Sequence, residues 1–264
     1  MKNPYFELHK EFKAAGAKVL MSSGQACVLF GIATFSKDGD WIIEETKEAC
    51  NRVIDVLEAK NAFYRLGAPL DIHWLSQGWT SHFEYVLKNG YRMRVDFCSR
   101  PPRVEDITSL WANAGKMSDI DVVDVQSLIK LKETRRVRDY NVIGTLAEVL
   151  GFNENRAIFA LNYLQDYDLL KRAVEKWPKE AKMSDREAVQ LVIDKKPRRD
   201  VVISLALEQD EKIQSDEKRI NSYREKSKTY QKQFLMLNKL WRKNKTSLST
   251  QHVELLSLAK QTLP

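Results

Sequence analysis

No stretch of this 264-residue chain approaches the roughly 18 consecutive apolar residues that a membrane-spanning helix requires, so no helical span is expected. Cysteine is scarce. Cys27, Cys50 and Cys98 show no Cys-x-x-Cys spacing, and their odd number argues against a disulfide framework. All three lie near apolar residues, which reads as packed thiols in a reducing compartment. The histidines, His9, His73, His82 and His252, are spread without ligand spacing, so structural zinc is not expected. There is no Walker A pattern, no Gly-x-Gly-x-x-Gly after a strand and no Ser nucleophile elbow. Internal repeats and low-complexity tracts are also missing. Residues 2–13 mix polar and apolar side chains, unlike a signal peptide. The expectation is a soluble, cytoplasmic protein.

Hydrophobic residues make up 43% of the chain and charged ones 30%, enough of each for a folded core under a polar surface. A net charge of +7 favours an anionic partner, though weakly. The first part of the chain mixes strand and helix patterns. A helix is expected over 4–16, strands over 18–22 and 40–44 with a helix over 24–32 between them, and a Thr46-capped helix to about residue 60. Residues 70–74 read as a short strand. Phe83–Leu87 and Tyr91–Phe97 flank Asn89-Gly90, a strong hairpin signal. A strand over 120–125 and a helix from Ser127 follow. Beyond that the chain reads as wholly helical. Gly151-Phe-Asn153 serves as punctuation, and Ser184-Asp-Arg-Glu187 has the form of a capping box. The expected class is α+β: a mixed sheet with flanking helices over residues 1–150, then an all-helical domain over 151–264.

The chemistry concentrates around Asp38-Gly-Asp40. Residues i and i+2 of a strand share a face, so the two carboxylates can converge. Held together they repel unless a cation or proton lies between them, and hard ions such as Mg²⁺ suit that pair. Upstream, the Ser23-Gly24 turn opens a short helix whose free N–H groups can receive an anion. A further carboxylate, Asp96, stands between Val95 and Phe97 and therefore faces away from both.

On these residues the segment resembles the DNA polymerase β-type nucleotidyltransferase superfamily, including small bacterial members and nucleotidyltransferase toxins. Such proteins combine a small-residue turn, a short helix, an Asp-x-Asp or Asp-x-Glu pair and a third Asp on a later strand. Here these are Ser23-Gly24, Asp38/Asp40 and Asp96, with Ser36 ahead of the pair. The chain departs at Thr34, where relatives often carry Arg, and in its inverted Ser-Gly order. The resemblance spans about residues 18–145. It implies a nucleotidyltransferase-type sheet and transfer of a nucleoside monophosphate from an NTP, with release of pyrophosphate. Mg²⁺ or Mn²⁺ would be held by Asp38, Asp40 and Asp96, and the triphosphate received by Ser23, Gly24 and Ser36. The run Lys130–Asp139 resembles the basic stretch after the catalytic sheet in these enzymes, and implies Lys132, Arg136 and Arg138 as phosphate-facing groups. RNA, a protein or a small molecule would be the acceptor, and a cognate antitoxin and self-association stay open.

Two other readings stand beside this one. A catalytically silent relative fits Thr34 and the inverted turn. A non-enzymatic nucleic-acid-binding or assembly module would use the segment from Glu208 to Lys245, which carries eleven Lys/Arg against six Asp/Glu. Its aromatic residues Tyr223, Tyr230, Phe234 and Trp241 recur at a seven-residue spacing that suits packing better than base stacking. Trp74, Trp79 and Trp111 are candidates for stacking a base.

Overall fold

The structure is a computed structural model that describes residues 3–264. The chain forms two compact units, one made of residues up to 128 together with 222–264, the other of 129–221. The first unit is therefore discontinuous in sequence, whereas the sequence alone suggested a single cut after residue 150.

The first unit begins with α1 (Pro4–Ala14), β1 (Val19–Ser22), α2 (Ser23–Leu29), β2 (Gly39–Ile43) and α3 (Lys47–Glu58). Next come β3 (Phe63–Gly67), α4 (Ile72–Leu75), β4 (Ser81–Val86), β5 (Arg92–Cys98), α5 (Ile107–Ala112), β6 (Gly115–Met117) and β7 (Ile120–Val122). The seven described strands form one sheet in the order β3-β4-β5-β2-β1-β7-β6. β2 runs parallel to β5 and β1 parallel to β7, and the other pairs are antiparallel. The class is α+β with a mixed sheet.

Local chemistry explains most boundaries. Thr46 accepts a hydrogen bond from the Ala49 amide and starts α3, as its sequence position predicts. Asn89 accepts from the Tyr91 amide and Gly90 takes φ 82°, which closes the β4–β5 hairpin. One sheet face carries the core: Phe12 of α1 meets Trp41, Phe97 stacks on Trp41, and Phe83 meets Phe97, with ring centroids 5.5–6.0 Å apart. Burying each such ring contributes about 1.5–3 kcal/mol, so this cluster fixes which strand faces point inward.

Residues 70–74 form no strand. Asp71 accepts from the His73 amide and caps α4, which turns Trp74 and Leu75 inward. The edge strand β3 is not expected from the sequence, because it lacks a clear period-two pattern. Helices α13 (Lys228–Asn244) and α14 (Leu248–Thr262) close its outer edge. Gln251 accepts from the Tyr64 amide at 3.0 Å, Asn238 donates to the Tyr64 carbonyl at 2.6 Å, and the Tyr230 hydroxyl donates to the Gly67 carbonyl at 2.7 Å. An open strand edge invites pairing with other chains. Here side chains satisfy it, and this ties residues 222–264 to the sheet.

The second unit begins within α6 (Val125–Lys132) and ends within α12 (Arg198–Lys226). Between them lie α7 (Val137–Asn153), α8 (Ala157–Tyr163), α9 (Tyr167–Lys176), α10 (Pro178–Lys182) and α11 (Glu187–Ile193). Gly151 does not end a helix. It lies inside α7, where a Cβ would stand 2.7 Å from the Ala160 Cβ, so it permits the close approach of α8. The expected capping box also does not form: Arg186 is the cap and Glu187 accepts from the Ser204 hydroxyl instead. The long C-terminal helical pattern breaks at Ser227, whose hydroxyl bonds the Tyr223 carbonyl. Among the described residues no helix is long and apolar enough to cross a membrane.

Candidate active site on the polar sheet face

Strand register decides the site. Asp40 pairs directly with Asp96 across the parallel β2–β5 ladder, and Asp96 pairs with His82 across β5–β4. Side chains alternate along each strand, so these three share the face opposite Trp41 and Phe97. Asp38, two residues before Asp40, reaches the same face, and its Oδ1 lies 3.6 Å from Arg94 Nη1. The electrostatics agree with this placement. Burial pushes the Cys98 thiol up to about 12, and the charges of Asp40 and Asp96 add to the effect.

Asp96 also has polar neighbours, one of them a cation. Arg65 Nη2 stands 3.2 and 3.4 Å from its two carboxylate oxygens. His82 Nδ1 is 2.8 Å from Oδ1, at an angle that makes no hydrogen bond. His82 Nε2 lies 2.8 Å from the Thr80 hydroxyl. Arg65 carries no signal in the sequence, because β3 lacks a clear alternation. His82 has no ligand spacing, and the β4–β5 register joins it to Asp96.

The turn before the carboxylates is assembled as the sequence suggests. A Cβ on Gly24 would lie 2.2 Å from Ser36 Oγ, so only glycine lets Ser36 seat against the start of α2. Ser36 Oγ donates to the Asp38 carbonyl at 3.2 Å, and Gln25 Nε2 donates to the Ser36 carbonyl at 3.0 Å. Ser23 holds φ 50°, a left-handed conformation that glycine adopts more readily. The inverted Ser-Gly order therefore places the strain on its first residue. Ser23, Gly24, Ser36, Asp38, Asp40 and Asp96 thus belong to one region of the first unit.

The donor chemistry suits a hard divalent ion in part. Two carboxylates lie side by side, and Asp38 Oδ1 is buried with no hydrogen-bond partner among the described residues. Among the described residues, however, no three His, Cys, Asp or Glu side chains gather closely enough to hold a metal ion.

Lys132, Arg136 and Arg138 belong to the second unit. Lys132 is buried, with Nζ 3.5 Å from Asp139 Oδ1. Arg136 Nε donates to Asp139 Oδ2 at 2.9 Å, and the Thr134 hydroxyl donates to the same oxygen at 2.6 Å. Two of the three expected phosphate ligands are thus engaged with a buried aspartate, while Arg138 is exposed. On α13, Tyr230, Phe234 and Trp241 are buried, in keeping with a packing seam. Arg242 crosses to the buried Glu84 at 3.2 Å and lies 4.0 Å over Phe63. It anchors the helix to the sheet.

No described protein family matches the sequence, and no curated protein matches it. Two solved structures are similar in part. One is a candidate nucleotidyltransferase from H. pylori, at 14% identity and a TM-score of 0.41, with 81% of this chain and 96% of that one covered. The other is JHP933 from Helicobacter pylori, also at 14% identity and a TM-score of 0.41, covering 83% of this chain and 94% of that one.

Proposed function

We propose that the protein is a nucleotidyltransferase that moves a nucleoside monophosphate from an NTP to an acceptor hydroxyl or phosphate on RNA, a protein or a small molecule. The observation that carries this reading is the direct pairing of Asp40 with Asp96 on adjacent parallel strands. Two like charges in register repel unless a cation or a proton lies between them. Asp40 and Asp96 would hold Mg²⁺ or Mn²⁺, with Asp38 standing just before β2. Such an ion, when bound, supplies charge to offset attacking and leaving oxygens. The chain's own part is positioning. Ser23, Gly24 and Ser36 orient the triphosphate, Arg94 adds positive charge beside Asp38, and Arg65 holds the Asp96 carboxylate.

The test is incubation with each labelled NTP, Mg²⁺ or Mn²⁺, and total RNA or protein. Wild type transfers label, and Asp40→Asn and Asp96→Asn each reduce transfer by about 100-fold or more. Unaltered transfer in both variants would falsify the assignment. A catalytically silent relative is the second reading, favoured by Arg65, which already stands where a cation would offset Asp96. It expects wild type to transfer nothing.

A further inference from the structure

Of the three tryptophans that the sequence offers for base stacking, two are committed to packing. Trp74 is buried, and Trp79 meets Tyr223 edge-on at 5.1 Å. Trp111 is different. It lines a cavity of about 550 Å³ together with Lys13, Lys18, Gly115, Lys116 and Asp121. That volume lies within the range of about 300–1,000 Å³ typical of small-molecule sites. Val19 and Leu20, at the start of β1, form part of its wall. Ser22, at the other end of β1, pairs with Asp40. None of Ser23, Gly24, Ser36, Asp38, Asp40 and Asp96 lines the cavity.

We propose that this cavity binds a nucleotide, with the base against Trp111 and the phosphate among Lys13, Lys18 and Lys116. The space beside Gly115 is open, since a Cβ added there would meet nothing within 4 Å. Gly115 lies on β6, the last strand of the sheet, whose outer edge has no neighbouring strand among the described residues. Lys18 Nζ sits 5.4 Å over the Trp111 ring, which brings positive charge beside the stacking surface. Three lysines line the cavity against one acid, Asp121. Each lysine has a carboxylate partner, Asp121 at 2.6 Å, Glu44 at 2.7 Å and Asp119 at 3.3 Å respectively. These ion pairs are solvent-exposed and therefore weak, so a phosphate can replace a carboxylate at small cost. Asp121 repels a phosphate, which places the anion toward Lys18 and Lys116.

The nucleotide is either free or one unit of single-stranded RNA, and two probes distinguish these. AMP and a six-nucleotide single-stranded RNA are each titrated calorimetrically into the full chain in EDTA, which removes any metal-dependent binding at the carboxylates. Trp111→Ala weakens binding by about 5- to 150-fold, the range of base-stacking losses, and Trp111→Phe, which keeps a ring, retains most of it. Lys18→Gln with Lys116→Gln weakens binding and flattens its salt dependence. Binding persists in Asp40→Asn. Tighter binding of RNA than of AMP assigns the site to an RNA strand, and equal binding assigns it to free nucleotide. The proposal is overturned if neither probe binds, if a folded Trp111→Ala binds as wild type does, or if Asp40→Asn abolishes the binding.

Discussion

His9 makes the sheet unit sensitive to acid. The imidazole is fully buried on α1, with Nδ1 3.2 Å from the Trp41 indole nitrogen and Nε2 3.1 Å from the Asp121 amide. Burial pushes its pKa down from 6.5 to about 4; the Asp121 carboxylate opposes the shift and Lys13 reinforces it. A histidine held neutral when folded titrates near its ordinary value once unfolded. The unfolded chain therefore binds the extra proton first as pH falls, and stability is lost from about pH 6.5 down to about pH 4. The linkage relation applied to that shift gives a loss of about 2 kcal/mol at pH 5, and about 3 kcal/mol at pH 4. Urea unfolding across this window, followed by hydrogen exchange of β2 peptides, reads the sheet unit specifically. His9→Gln keeps a hydrogen-bonding side chain without the titration, so its stability should fall much less over the same range. Equal pH slopes in wild type and variant would refute the argument and assign the acid sensitivity to carboxylates.

Gln251→Ala removes the acceptor from the Tyr64 amide and should cost about 1–3 kcal/mol, because a buried donor is left unmade. Hydrogen exchange should then rise at β3 and not at β1, and unchanged protection at Tyr64 would count against edge closure by α14. Gly151→Ala should destabilise the helical unit by about 1–3 kcal/mol through overpacking against Ala160, with partial recovery in the Gly151→Ala, Ala160→Gly double variant. Thermal unfolding of the single and double variants checks this, and additive losses would mean that the two residues do not meet.

Local chemistry was enough to determine several features from the sequence alone. The Thr46 cap, the Asn89-Gly90 hairpin and the alternation that turns Asp96 away from Val95 and Phe97 each depend on residues a few positions apart. Together with the mixture of periodicities they were sufficient for the α+β class. Tertiary structure decided what these residues meet. The parallel pairing of β2 with β5 puts Asp40 beside Asp96, and the β4–β5 register adds His82. β2 and β5 are far apart in sequence, and their pairing follows from burying Trp41, Phe83 and Phe97 on one shared face, which no local window contains. The same holds for Lys132, whose short-range pattern reads as a phosphate ligand while folding buries it against Asp139. It holds also for α13 and α14, whose polar side chains gain their role only once β3 presents an unpaired edge. A sequence specifies its turns and caps through neighbours, but a site assembled across strands exists only after the core has chosen which faces to hide.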